Sequence, residues 1–204
     1  EKVFGSLVLI IVVLFHEDIR QALSRFSVRA LFKRRRTMRE AQIQMLASTA
    51  LELAKKHIGA IIVLEKQMPL GDFMSKGVKL DAEVSHDLLF TIFFPNTALH
   101  DGAVIIQGDR LACASAYFPP TNQELPSRYG ARHRAAIGIS EITDSVTIVV
   151  SEETGNISIA EGGQITTVSK KELRDYLLRV VCNEETVVRE KNTKTQNRKS
   201  YFVI

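Results

Sequence analysis

Apolar residues recur at Ile43, Leu46, Ala47, Ala50, Ala54 and Ile58, the spacing of one helix face. Thr37, followed by Glu40, supplies a capping box for the first turn. Lys55 and Lys56 suit the negative helix end, and Gly59 is placed to stop it. The period then changes. Residues 60–64 (AIIVL) are continuously apolar and largely β-branched, the pattern of a strand buried on both faces. Residues 85–94 predict a helix ended by Pro95. Residues 104–107 and 111–117 flank a Gly108–Asp109 turn and predict a hairpin. Two further strands are expected at 146–150 and 157–160, around a polar turn. Ser169 and Glu172 form a second capping box, opening a helix to about Val181. Interleaved helices and short strands make the class α/β, a mixed β-sheet flanked by helices.

Two stretches fall outside this pattern. Residues 3–15 (VFGSLVLIIVVLF) form an apolar run shorter than the ~20 residues that cross a bilayer. Residues 17–32 read as an amphipathic connector helix. Residues 20–39 hold eight Lys or Arg and no Asp or Glu. An apolar run followed by positive charge predicts the end of a transmembrane helix (1–15) whose beginning lies upstream. A basic juxtamembrane connector (16–37) would follow, then a catalytic body (38–182) on the cytoplasmic side of the cell membrane, and a polar tail (183–204). A buried core segment or a signal-peptide core is the alternative for the apolar run.

Charge and cysteines narrow the classes. The formal net charge is +4, but without the basic stretch the remainder carries −4, which argues against nucleic acid as a partner. Cys113 and Cys182 belong to no CxxC or CxxH spacing, which argues against a zinc site or disulfide framework and fits a reducing compartment. Neither GxGxxG nor GxxxxGK[ST] occurs, so a bound nucleotide would be held without the two common phosphate loops.

Two segments carry candidate chemistry. In Leu99-His100-Asp101-Gly102-Ala103, a carboxylate stands at the entry to a predicted strand. Gly102 and Ala103 leave room for a ligand near the backbone. Such a carboxylate can hold a divalent cation and draw a proton from a hydroxyl; an Asp-Gly pair is otherwise an ordinary turn. In Gly130-Ala131-Arg132-His133-Arg134-Ala135-Ala136, two arginines stand among small residues. That suggests a buried helix start, where guanidinium forks meet phosphate oxygens; a surface basic patch is the bland alternative.

The HDGA and RHR segments, about thirty residues apart and in this order, resemble the signature of the diadenylate cyclase domain. The likeness runs from about Met38 to Val181 and includes the strand at 59–64 and the turn Ser151-Glu152-Glu153-Thr154-Gly155. Upstream, the apolar run and the segment from Glu17 resemble the end of the membrane region in the membrane-bound branch. The resemblance implies condensation of two ATP into cyclic di-AMP with release of two pyrophosphates. It implies dependence on Mg²⁺ or Mn²⁺, and two protomers meeting face to face as a homodimer.

It also implies roles. Asp101 binds the metal and helps activate the ribose 3′-hydroxyl, while Gly102 and Ala103 border the nucleotide. Arg132, His133 and Arg134 hold the triphosphate and stabilise the leaving pyrophosphate. Glu153 or its neighbour Glu152, in the turn that begins at Ser151, contacts the metal or ribose, or else caps a solvated hairpin tip. His100 is a metal ligand or a turn residue. Tyr117 and Phe118 border the adenine or belong to the core. A membrane-bound regulator is a further expected partner. Many family members have Thr before Arg-His-Arg, where this chain has Ala131, so one hydroxyl that would meet a phosphate is missing.

Two other readings compete. His86-Asp87 and His100-Asp101, with His57 upstream, invite an HD-type metal phosphohydrolase, but such domains are helical and this chain is rich in predicted strands. A non-catalytic, membrane-tethered nucleotide sensor on the same fold is the other; it would tolerate loss of Asp101, which this chain keeps.

Overall fold

The computed structural model describes Met38 and residues 40–180. The apolar run 3–15, the stretch 17–32, most of the basic segment, Thr37 and the tail 183–204 lie outside the described residues. Among the described residues no helix is long and apolar enough to cross a membrane.

Helix α1 (Glu40–Lys55) turns Ile43, Leu46, Ala47, Ala50, Leu53 and Ala54 inward, as their spacing requires. It is not stopped by Gly59. His57 takes the left-handed conformation (φ 54°), and the Ile58 N–H closes on Leu53 O at 2.9 Å, a helix-ending geometry that glycine usually supplies. Gly59 does not adopt a positive φ, so its lack of a side chain serves another purpose, described below.

The strands are β1 (Ala60–Glu65), β2 (Val78–Glu83), β3 (Ala103–Gln107), β4 (Arg110–Ala116), β5 (Val146–Val150), β6 (Ile157–Glu161) and β7 (Gln164–Val168). They form one mixed seven-stranded sheet in the order β2-β4-β3-β1-β5-β6-β7. Among the described residues only the β1–β3 pairing is parallel. Between them lie the short helix α2 (Gly71–Met74), α3 (His86–Phe93) and α4 (Ala131–Ile142). Ser85 caps α3 by accepting from Leu88 N. Residues 170–180 form a last helix α5, opened by the expected reciprocal box: Ser169 N donates to Glu172 (2.7 Å), and Glu172 N to Ser169 Oγ (3.4 Å).

Alternation along the central strands divides the core. Ile62, Leu64, Val104, Ile106, Ile148 and Val150 face α1, α3 and α5, with Leu173 and Leu177 from α5. Ile61, Val63, Ala103 and Ile105 face the other way, with Phe118 and Ile139, while Val149 and Ala160 meet Ala136 and Ile137 of α4. The result is a sheet between two helical layers, with β1 buried along its whole length. Each fully buried Leu or Ile contributes about 1.5–3 kcal/mol, so this central register is firmly held. The edge strands β2 and β7 are mostly exposed.

Candidate active site

The sheet register gathers the candidate residues. Because β1 and β3 run parallel (Ile62↔Val104), the entries to both strands, Gly59 and Asp101-Gly102, lie at one sheet end, about one strand spacing (~4.8 Å) apart. Strand β4 pairs Ala116 with Ala103, which brings Tyr117 there. Strand β5 pairs Val150 with Ala60, which brings Ser151, Glu152 and Glu153. One sheet end thus collects residues from four distant segments.

The HDGA turn is tightly made. Gly102 has φ +105°, and a Cβ there would lie 2.9 Å from Ser115 backbone atoms; only glycine fits. Ser115 itself has φ 53° at an irregularity in the β3–β4 register, and its Oγ donates to Leu99 O at 3.2 Å. His100 Nδ1 lies 2.6 Å from Thr97 O. As the donor, that nitrogen leaves Nε2 as the lone-pair nitrogen, the arrangement of a histidine oriented for metal binding. Asp101 is exposed, and its Oδ2 accepts from the Tyr117 hydroxyl at 3.0 Å. That bond raises the Tyr117 pKa. Tyr117 is 58% exposed, whereas Phe118 is turned into the core, edge-on to Phe73 at 5.3 Å. Ala103 is buried as the first residue of β3.

The RHR segment opens α4, but the expected buried helix start is only partly buried: Gly130 and Ala131 are exposed, and of the triplet His133 alone is buried. Arg132 is partly buried and paired with Glu152 (Nη1–Oε2 2.7 Å). His133 is buried beside Tyr129, ring centroids 5.2 Å apart. Burial pushes its pKa down; Glu153 opposes this, while Arg132 adds to it. Both groups therefore act electrostatically on the imidazole. Arg134 is half-buried, and its carbonyl accepts the Thr121 N–H at 3.0 Å. Ser151 is buried and closes its turn: its Oγ accepts Thr154 N and its carbonyl accepts Gly155 N.

Among the described residues no three His, Cys, Asp or Glu side chains converge tightly enough to hold an ion by themselves. An imidazole and one or two carboxylates on an open surface instead suit a Mg²⁺-like cation that keeps other oxygen ligands, such as substrate phosphates. His86-Asp87 lies elsewhere, at the start of α3, where His86 binds Thr49 Oγ1 (3.0 Å) and Glu52 (3.3 Å) between helices. A cleft of about 500 Å³, lined by Gln67, Met68, Pro69, Glu141, Ile142, Thr143 and Asp144, contains none of the candidate residues.

The Glu152–Arg132 pair and the Tyr117–Asp101 bond were not legible in the sequence: their partners lie 20 and 16 residues apart in unrelated elements.

Residues 47–165 match the model of the DAC family, described as DisA bacterial checkpoint controller nucleotide-binding. A Listeria monocytogenes protein named diadenylate cyclase is 43% identical over 177 residues, covering 84% of this chain and 65% of that protein. The cyclic di-AMP synthase CdaA of Bacillus subtilis is 38% identical over 199 residues, covering 95% of this chain and 70% of that protein. The chain thus spans about two thirds of the length of these relatives. A crystal structure of a double cysteine mutant of DacA from Staphylococcus aureus superposes with a TM-score of 0.67 at 42% identity, covering 70% of this chain and 95% of that one.

Proposed function

Because this chain belongs to the DAC family of nucleotide-binding domains, which it shares with nucleotidyltransferases named diadenylate cyclase, we propose that it condenses two ATP molecules into cyclic di-AMP. The observation that carries this reading is the meeting of the HDGA turn and the RHR helix start at one sheet end, without a Walker or Rossmann phosphate loop.

In each half-reaction a ribose 3′-hydroxyl attacks the α-phosphorus of the other ATP. A new P–O bond forms, the bond to the β-phosphate breaks, and pyrophosphate leaves. The exposed Asp101 carboxylate takes up the hydroxyl proton. Arg132 and Arg134 hold the triphosphate and offset the charge that grows on the leaving group. His133, kept neutral by burial, supports the helix start from which both arginines project. Tyr117 borders the adenine and steadies Asp101 through its hydroxyl. Asp101, His100 and Glu153 would hold Mg²⁺ or Mn²⁺, which would neutralise triphosphate charge and polarise the α-phosphate.

Two identical substrates and a two-fold symmetric product favour two protomers face to face, each offering one ATP. The exposure of Asp101, Tyr117 and Glu153 supports a site open to a second copy. The apolar and basic residues 3–39 support attachment to a membrane with the body on the cytoplasmic side, where a membrane-bound regulator could reach it.

The test is incubation of the chain with ATP and Mg²⁺ or Mn²⁺, followed by mass analysis of the products. Cyclic di-AMP and pyrophosphate are expected, and ADP should not serve, because its α-phosphate has a poorer leaving group. Free phosphate as the main product would indicate a phosphohydrolase, and ATP binding without turnover a sensor. In a purified hybrid dimer of one normal and one Asp101→Asn protomer, a single turnover should stop at the linear triphosphate-bearing dinucleotide. Ring closure at the normal rate would overturn the assignment of one Asp101 to each bond.

A further inference from the structure

Three elements converge on the Arg132 guanidinium. Helix α4 delivers it, the β5–β6 turn supplies Glu152 at 2.7 Å, and the α1–β1 connection supplies Gly59. A Cβ on Gly59 would fall 2.6 Å from Cζ, 2.7 Å from Nη1 and 2.9 Å from Nε of Arg132, so the planar group lies flat on the bare backbone of residue 59. The turn that carries Glu152 is itself fastened to the end of α1. His57 Nδ1 donates to Glu152 O at 3.1 Å, and Gly155 packs so near Ala54 O that a Cβ would come within 2.8 Å.

This arrangement does little for stability. The side chains of Arg132 and Glu152 are 26% and 55% exposed, and ion pairs so exposed are screened and contribute little. Its effect is on geometry. A free arginine side chain gives up considerable rotamer freedom when it grips a ligand; one already pinned on two sides does not. Glu152 takes Nη1, which leaves Nε and Nη2 of the fork to meet phosphate oxygens.

We infer that Gly59 and Glu152 form a seat that holds Arg132 in its phosphate-binding orientation, so that Glu152 is a positioning residue that acts through Arg132 and touches neither metal nor ribose. The inference rests on the reading that Arg132 meets the triphosphate. It divides the two acidic residues of the turn: Glu152 belongs to the arginine, and Glu153 is left for the cation.

A double-mutant cycle tests it. ATP binding to the full chain is measured by calorimetry with Mg²⁺, alongside KM, kcat and the Mg²⁺ concentration for half-maximal rate. Glu152→Ala, whose exposed side chain can be removed without opening the core, should weaken ATP binding on the order of 10-fold and raise KM more than it lowers kcat. The half-saturating Mg²⁺ concentration should not move. In an Arg132→Ala background the same change should cost nothing further. Gly59→Ala, which dislodges the guanidinium without removing any acidic group, should reproduce the Glu152→Ala pattern. Glu152→Gln, keeping an acceptor oxygen, should fall between. Full additivity of Glu152→Ala and Arg132→Ala, a raised Mg²⁺ requirement in Glu152→Ala, or tighter ATP binding by that variant would each overturn the seat. A normal chain that binds no ATP would instead overturn the reading of the site, and the seat with it.

Discussion

Replacing Gly138 by Ala adds one methyl group in the middle of helix α4, where that exchange ordinarily stabilises by about 0.5–1 kcal/mol. Here the sign should reverse. The chain leaving β4 crosses the helix at this residue, and a Cβ would sit 2.9 Å from Thr121 N and 3.0 Å from Pro120 C, and inside the envelope of the Pro119 carbonyl oxygen. Helix and crossing segment must separate. Overpacking of this kind costs about 1–3 kcal/mol. The bond from Thr121 N to Arg134 O goes with it, at about 1 kcal/mol. After the helix gain is subtracted, a net loss of about 1–3 kcal/mol remains, a fall in melting temperature of roughly 3–10 °C for a body of this size. Thermal and urea unfolding followed by far-ultraviolet circular dichroism would measure it. Turnover of ATP well below the melting temperature should also fall, because the displaced segment continues from Tyr117, whose hydroxyl rests on Asp101. A variant as stable as the normal chain, or more stable, would refute the reasoning.

Asp101→Asn should abolish turnover with ATP binding largely kept, since the amide preserves shape and loses charge; Arg134→Ala should weaken binding by about 1–3 kcal/mol, and calorimetry showing the opposite pattern would reverse the two roles. Burial holds the His133 pKa below its ordinary value, so on acidification the unfolded chain takes up this proton first. The His133 contribution is therefore intact above the ordinary histidine range and is lost as pH falls through the native value. Urea midpoints from pH 7.5 to 5 should show this loss, and His133→Gln should reduce it; an unchanged slope would count against it. Deleting residues 1–36 should leave the body folded, since the seven-stranded sheet and helices α1 to α5 all lie beyond residue 38, and should abolish salt-sensitive binding to anionic vesicles; a deletion that cannot fold would move the domain boundary upstream.

The central elements were readable because burial writes itself into composition. β1 is apolar from Ala60 to Leu64 because both faces are covered, and Gly108–Asp109 marks the β3–β4 hairpin because Gly108 takes a positive φ there (63°). The edges were not. β2 alternates apolar and polar residues, yet none of them is fully buried, the register shifts between Lys79 and Ala82, and Asp81 sits at φ 48°. β7 has no fully buried residue. Strands paired on one side only bury little and leave a faint hydrophobic trace. At the site, Asp101 and the two arginines could be named as candidates from the resemblance of the HDGA and RHR segments to the diadenylate cyclase signature. Their partners could not, because Gly59–Arg132 and Arg132–Glu152 are contacts that only the sheet register creates. Gly59 shows the difference well: its position after a helix suggested a stop signal, while its empty space serves a side chain 73 residues away.

The single parallel pairing in the sheet also bears on how activity is gained during folding. No hairpin can make it: β1 must wait for β3 to be synthesised and to return alongside it, and for β5 to close on its other flank. The contact between His57 and Glu152 spans 95 residues. Contacts of such long sequence separation form late and slowly, whereas the β3–β4 and β6–β7 hairpins can form locally. A refolding chain would therefore recover most of its strand signal before it recovers any grip on ATP. Return of nucleotide binding would then time the closure of the central strands, the slowest event the topology imposes.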